Sequence, residues 1–98
     1  MKYLVKVLPL ASDHITEAFQ WYEAQESGLG YDFLAEWESA LAFISHFPEG
    51  CQRRYKNFRQ AKIKRFPYLL VYELNLNKIV IYNVINARRH PSKRFKKK

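Results

Sequence analysis

The stretch RQAKIKRFPYLLVYELNLNKIVIYNVINARRHP, residues 59–91, decides the fold. It reads as three consecutive strands. Residues 62–65 are the basic end of the first. Phe66-Pro67-Tyr68 makes a sharp corner, because proline fixes φ and has no N–H for a ladder. YLLVYEL, residues 68–74, is a buried strand; residues 75–77 are a turn; IVIYNVI, residues 79–85, is a second buried strand. Ile79, Ile81 and Ile85 lie on one face of it and Val80, Tyr82 and Val84 on the other, the pattern of a central strand. The first strand is half polar. Ala61 and Ile63 point one way, Lys62 and Lys64 the other, as on an edge strand where lysines discourage stray pairing. Arg88-Arg89-His90-Pro91 closes the run. In a meander, the cations at the ends of the first and third strands can converge on one surface.

Upstream, YLVKVL (residues 3–8) is a short strand ended by Pro9. Ser12 or Asp13 is a good N-cap for a first helix. Ile15, Ala18, Phe19 and Tyr22 follow at helical spacing. Ser27-Gly28-Leu29-Gly30 breaks that helix, and two glycines within three residues suit a tight helix–helix turn. A second helix is predicted from about Asp32 to His46. Phe33, Trp37, Ala40, Leu41, Ile44 and Phe47 form its apolar stripe, and Pro48 and Gly50 stop it. Two amphipathic helices joined by a short loop form an antiparallel hairpin, and the sheet is the surface it has to cover. Phe19, Tyr22, Phe33 and Trp37 sit at core spacing. GCQRRYKN, residues 50–57, reads as a polar, basic loop. The order is β-α-α-β-β-β. The fold class is α+β, a helical hairpin packed on a mostly antiparallel sheet.

Ninety-eight residues make one domain, residues 1–95, followed by a basic tail at residues 96–98 that is expected to be disordered. With 48% hydrophobic residues the chain can bury a small core. No apolar run reaches the length of a membrane span, and Pro9 and Asp13 interrupt any signal-like segment, so a soluble, cytoplasmic protein is expected. The single cysteine, Cys51, forms no internal disulfide and reads as an incidental thiol.

Charge is split along the chain. Residues 1–50 hold two lysines against eight acids, net −6; residues 51–98 hold fifteen cations against Glu73, net +14. Unpaired cations are too costly to bury, so the second half presents a basic surface that attracts nucleic acid, a ribosome or an acidic protein segment. A merely solvated face is the plain alternative.

Most catalytic chemistries lack their residues. The three glycines form no phosphate loop, and His14, His46 and His90 show no shared metal-ligand spacing. No nucleophile elbow is present, and the carboxylates lie almost wholly in the first half, away from the cations. No metal or cofactor is expected. What remains is a cationic set: Arg59, Lys62, Lys64, Arg65, Arg88, Arg89, His90 and Arg94. It suits phosphate or carboxylate binding without chemistry. It also suits metal-free RNA cleavage, with lysine or histidine moving protons and arginine stabilising charge on phosphorus.

Leu29-Gly30-x-x-Phe33, Phe47-Pro48, Arg65-Phe66-Pro67-Tyr68 with Val71-Tyr72, and Arg88-Arg89-x-Pro91 occur in that order over residues 3–95. Together they resemble the RelE/ParE superfamily of toxins from bacterial type II toxin–antitoxin (plasmid stabilisation) modules. The resemblance implies the same β-α-α-β-β-β order. It also implies a basic, growth-inhibiting toxin held by a cognate antitoxin whose C-terminal segment carries acidic residues and apolar anchors. RelE-like members cut mRNA on the ribosome with sheet cations; here those positions are Lys62, Lys64 and Arg65, with Arg88 or Arg89 at the last strand and His90 nearby. ParE-like members poison DNA gyrase. The position often held by tyrosine in RelE-like members is Phe95, which has no hydroxyl to move a proton. The motifs sit closer to the ParE branch, and that branch implies binding by Arg59, Lys62, Lys64, Arg65, Arg88, Arg89, Arg94 and Phe95 with no catalytic set. The alternatives are a ribosome-dependent mRNA endonuclease and an inactive homologue that only binds antitoxin.

Overall fold

The computed structural model describes residues 3–88. Strand β1 (Leu4–Val7) leads into helices α1 (Pro9–Gln25) and α2 (Leu29–His46). A single 3-10 turn (Pro48–Gly50) follows, then β2 (Arg53–Tyr55), β3 (Phe58–Ile63), β4 (Tyr68–Asn75) and β5 (Lys78–Asn86). The strands form one sheet in the order β1-β5-β4-β3-β2. β1 runs parallel to β5, and the other pairs are antiparallel. The α+β class, the helical hairpin, the meander of β3, β4 and β5 and the central place of β5 all follow the sequence reading.

Both helix starts differ from the sequence reading. α1 begins at Pro9 rather than after Ser12 or Asp13. Leu8 is its extended N-cap, and the Ser12 N–H donates to the Leu8 carbonyl at 3.1 Å. Proline at the first helical position lacks only an N–H that would have no partner there. α2 starts at Leu29, three residues before Asp32, because Glu23 caps it from the neighbouring helix. The Glu23 carboxylate accepts the Gly28 and Gly30 N–H groups, each at 2.9 Å. A carboxylate at a helix N-terminus satisfies orphan donors and opposes the positive end of the dipole. Gly28 has φ 92°, and a Cβ on Gly30 would lie 2.7 Å from the Phe19 carbonyl oxygen. One glycine turns the chain; the other lets the helices touch.

The basic loop contains β2, a three-residue strand paired to the start of β3 through Arg53 with Arg59 and Tyr55 with Phe58. RRY has too little hydrophobic alternation to read as a strand. The open edges of the sheet are therefore β1 and β2. Residues 60–63 have ladder partners in β4 alone, so the edge reading of Lys62 holds for that half of β3. In β5 a bulge shifts the faces: Tyr72 pairs with Ile81 but Val71 with Asn83, leaving Tyr82 as the extra residue. Past the bulge Val84, not Ile85, turns inward; Val84 is 1% exposed.

The core joins the hairpin to one face of the sheet. Ala11, Ile15, Ala18, Phe33, Trp37 and Ile44 meet Ala61, Ile63, Leu70, Tyr72, Ile79, Ile81 and Val84. Each large side chain buried there contributes roughly 1.5–3 kcal/mol. Of the four aromatics read as core, Phe33 and Trp37 are buried, and Phe19 and Tyr22 are half-buried at the edge of the hairpin. Phe47 leaves its stripe. It caps α2 with φ −134° and is 61% exposed.

Candidate functional site

The Phe66-Pro67-Tyr68 corner positions the site. Arg65, at φ 72°, turns the chain out of β3. The Phe66 ring drops into the core and packs edge-on against Tyr22 and Phe33, at 4.8 and 5.3 Å between centroids. The Ala87 N–H donates to the Pro67 carbonyl at 2.8 Å, which locks the end of β5 onto the corner. Arg88 leaves the sheet from that lock. Arg65 and Arg88 thus reach the same place although 23 residues apart in sequence.

They line a groove of about 1070 Å³ between α1 and the ends of β4 and β5. The α1 wall presents His14, Glu17, Trp21 and Tyr22; the sheet wall presents Tyr68 and Asn86 beside the arginines. His14 is oriented by the sheet: its Nδ1 lies 2.7 Å from Asn83 Oδ1 and 3.1 Å from the Val84 carbonyl. Asn83 Oδ1 already accepts the Val84 N–H, so both neighbours are acceptors and the proton sits on Nδ1. Burial, followed by the neighbouring Tyr68, pushes the Tyr22 phenol above its ordinary value, with Arg88 opposing. It stays a neutral hydrogen-bonding hydroxyl at physiological pH.

A second groove, of about 520 Å³, lies between α2 and the unpaired half of β3. Lys62 and Lys64 rim it with Glu36 and Ser39, over an apolar floor of Ala40, Phe43 and Ala61. Gln60 also lines it, and its Nε2 is buried with no hydrogen-bond partner among the described residues.

Arg59 has structural work instead. It sits at the far end of β3, where its Nη1 donates to the Cys51 carbonyl at 2.5 Å. Beside it the Tyr72 hydroxyl donates to the Pro48 carbonyl at 2.8 Å in the buried core. Burial raises the Tyr72 phenol far above the ordinary tyrosine value, with the Cys51 thiol adding to the shift. Arg65 is partly engaged as well, with guanidinium nitrogens 3.6 Å from Asp32 and 3.8 Å from Glu36. Those contacts are long and the Arg65 side chain is more than half exposed, so they are weak. Glu73, the one acid of residues 51–98, accepts a hydrogen bond from Tyr82 at 3.1 Å on the face away from the helices.

The cations expected to share one surface therefore divide. Arg65 and Arg88 meet in the first groove, Lys62 and Lys64 edge the second, and Arg59 braces the loop after α2. Arg89, His90, Arg94, Phe95 and the tail at residues 96–98 lie outside the described residues. Sequence reasoning missed His14 and Trp21. The available signal was spacing: His14, Glu17, Ala18 and Trp21 repeat at i, i+3, i+4 and i+7, a second stripe beside the core one. Among the described residues no three His, Cys, Asp or Glu side chains gather as metal ligands would. No helix among them is long and apolar enough to cross a membrane.

The family model described as "ParE toxin of type II toxin-antitoxin system, parDE" matches residues 5–91. The chain belongs to the ParE toxin family. A solved structure titled "Chromosomal ParDE TA system from P. aeruginosa" has the same fold, with a TM-score of 0.73 at 12% identity. The similarity covers 87% of this chain and 96% of that one. No curated protein matches this ParE-family chain in sequence. The family match spans the helical hairpin, the corner and both grooves, and the sequence resemblance pointed to the same branch.

Proposed function

We propose that this ParE-family chain inhibits growth by binding and poisoning DNA gyrase, with no bond-breaking chemistry of its own, and that a cognate antitoxin neutralises it. The observation that carries the binding role is the dispersal of the cations. Lys62 and Lys64 are separated from Arg65 and Arg88 by the β3–β4 corner, and Arg59 is spent on a backbone carbonyl. A cleavage site built on the sheet cations, as in RelE-like members, needs those lysines and arginines around one phosphorus.

The second groove fits the antitoxin. Residues 60–63 offer unpaired strand backbone, the Phe43–Ala40 floor accepts an apolar anchor, and the Lys62 and Lys64 rim favours acidic residues. An extended acidic segment that orders on binding meets all three demands. A cytoplasmic location follows from that target.

The test is supercoiling of relaxed plasmid by purified gyrase in the presence of the chain. Blocked supercoiling with accumulation of cleaved gyrase–DNA complex is expected. Undisturbed supercoiling at large excess of folded chain overturns the gyrase assignment, and codon-spaced mRNA cuts on ribosomes would replace it with the nuclease alternative.

A further inference from the structure

Trp21 touches Tyr22 edge-on, at 5.1 Å between ring centroids, and leaves the rest of its indole to solvent. It is 56% exposed, whereas the other tryptophan, Trp37, is 8% exposed in the core. It stands two helical turns from His14, and both face the first groove. The opposite wall carries Arg65 and Arg88. Arg88 has no carboxylate partner among the described residues, and the contacts of Arg65 are long enough to be exchanged for a phosphate.

From this arrangement we infer that the first groove binds a short unpaired stretch of nucleic acid, with one base on Trp21 and its phosphates on Arg65 and Arg88. The charges set the direction of binding. Glu17 on the α1 wall repels phosphate, so the backbone runs along the arginine wall and the base turns toward the aromatic wall. Every base has a π-face, so a tryptophan platform binds without reading sequence. Arginine adds planar, bidentate contact to phosphate oxygens. His14 completes the α1 wall. Its Nδ1 is committed to Asn83 and Val84, which leaves Nε2 for a polar group on the base or sugar. A volume of about 1070 Å³ exceeds the roughly 300–1,000 Å³ typical of small-ligand sites, room for one or two nucleotides. A paired base would keep its faces stacked within the duplex and could not lie on Trp21. An acidic peptide could use the arginines but would leave the exposed indole without a purpose.

This site needs neither gyrase nor an antitoxin, so its failure would leave the proposed function standing. The experiment titrates the full chain with a labelled twelve-residue oligo(dT), and in parallel with a labelled polyglutamate of equal charge. Anisotropy gives the affinity, and tryptophan emission reports the site, because Trp37 is buried. Oligo(dT) is expected to quench emission. Trp21→Ala is expected to weaken oligo(dT) about tenfold, with polyglutamate unchanged. Arg88→Ala, at an exposed position, is expected to lower the salt slope of oligo(dT) binding by about one. Equal affinity of wild type and Trp21→Ala for oligo(dT) would overturn the inference. So would an equal loss for polyglutamate, which would make the groove a general acidic-segment site, or no binding of oligo(dT) at low salt.

Discussion

Arg59 and Lys62 lie three residues apart on β3 and carry the same charge, yet the two halves of the strand use it differently. The first half is paired on both sides, by β2 and β4, and Arg59 there is half-buried on the Cys51 carbonyl. Together with Tyr72 on the Pro48 carbonyl it ties down the chain between α2 and β2. The second half is paired on one side. Lys62 and Lys64 stand exposed at the lip of an apolar groove, with no ion pair among the described residues. The difference teaches that a cation's role follows from the backbone geometry around it. A half-buried arginine beside an unsatisfied carbonyl stabilises the fold; an exposed lysine on an unpaired edge is available to a partner.

The comparison breaks most visibly at Tyr72. Tyr72→Ala removes a fully buried ring and its hydrogen bond from the braced end, and is expected to cost roughly 3–5 kcal/mol in urea unfolding. A loss below about 1 kcal/mol would mean that this end is not braced as described. Arg59→Ala frees the Cys51 carbonyl at an intermediate depth; a loss of about 1–2 kcal/mol is expected in the same assay.

Alkali sharpens the contrast without mutation. Tyr22, Tyr72 and Tyr82 all have phenols pushed above the ordinary value of 10.0, first by burial. The unfolded chain therefore loses these protons first. Stability should be level below about pH 10 and fall as pH rises past it. Tyr72→Phe, which lacks the most strongly shifted phenol, should show a shallower fall. A denaturation midpoint of the wild type that stays constant from pH 9 to 11 would contradict this.

The smallest stability effect belongs to the open end. Lys62→Ala and Lys64→Ala are each expected to change unfolding free energy by no more than about 0.5 kcal/mol. The same substitutions should weaken binding of an acidic antitoxin segment and flatten its salt dependence. Unchanged antitoxin affinity in the double variant would remove the second groove from the proposed interface.

Much of the fold was legible because it depends on periodicity. Phe33, Trp37 and Ile44 announced the buried face of α2, and the apolar strands announced β4 and β5. What stayed hidden depends on long-range contacts. Glu23 caps α2 from another helix, so the true start at Leu29 had no local signal. The bulge at Tyr82 moved the inward position from Ile85 to Val84, and a strict two-residue alternation cannot show such a shift. The basic set was legible as residues but not as a site. The meander reading allowed the cations at the ends of β3 and β5 to converge, as Arg65 and Arg88 do, but nothing in the spacing said that Arg59 would bond a carbonyl or that Lys62 and Lys64 would line a separate groove. Trp21 was legible only as a residue outside the core stripe, and its partner His14 needed the sheet to fix its ring.

The measurement that tests the central claim most directly is pulse labelling after the chain is induced in bacteria without antitoxin. Thymidine and methionine incorporation are followed over the first minutes. Thymidine incorporation is expected to fall first while methionine incorporation continues. An early fall in methionine incorporation, with DNA synthesis intact, would contradict the gyrase assignment and make the basic face of the sheet a nuclease site.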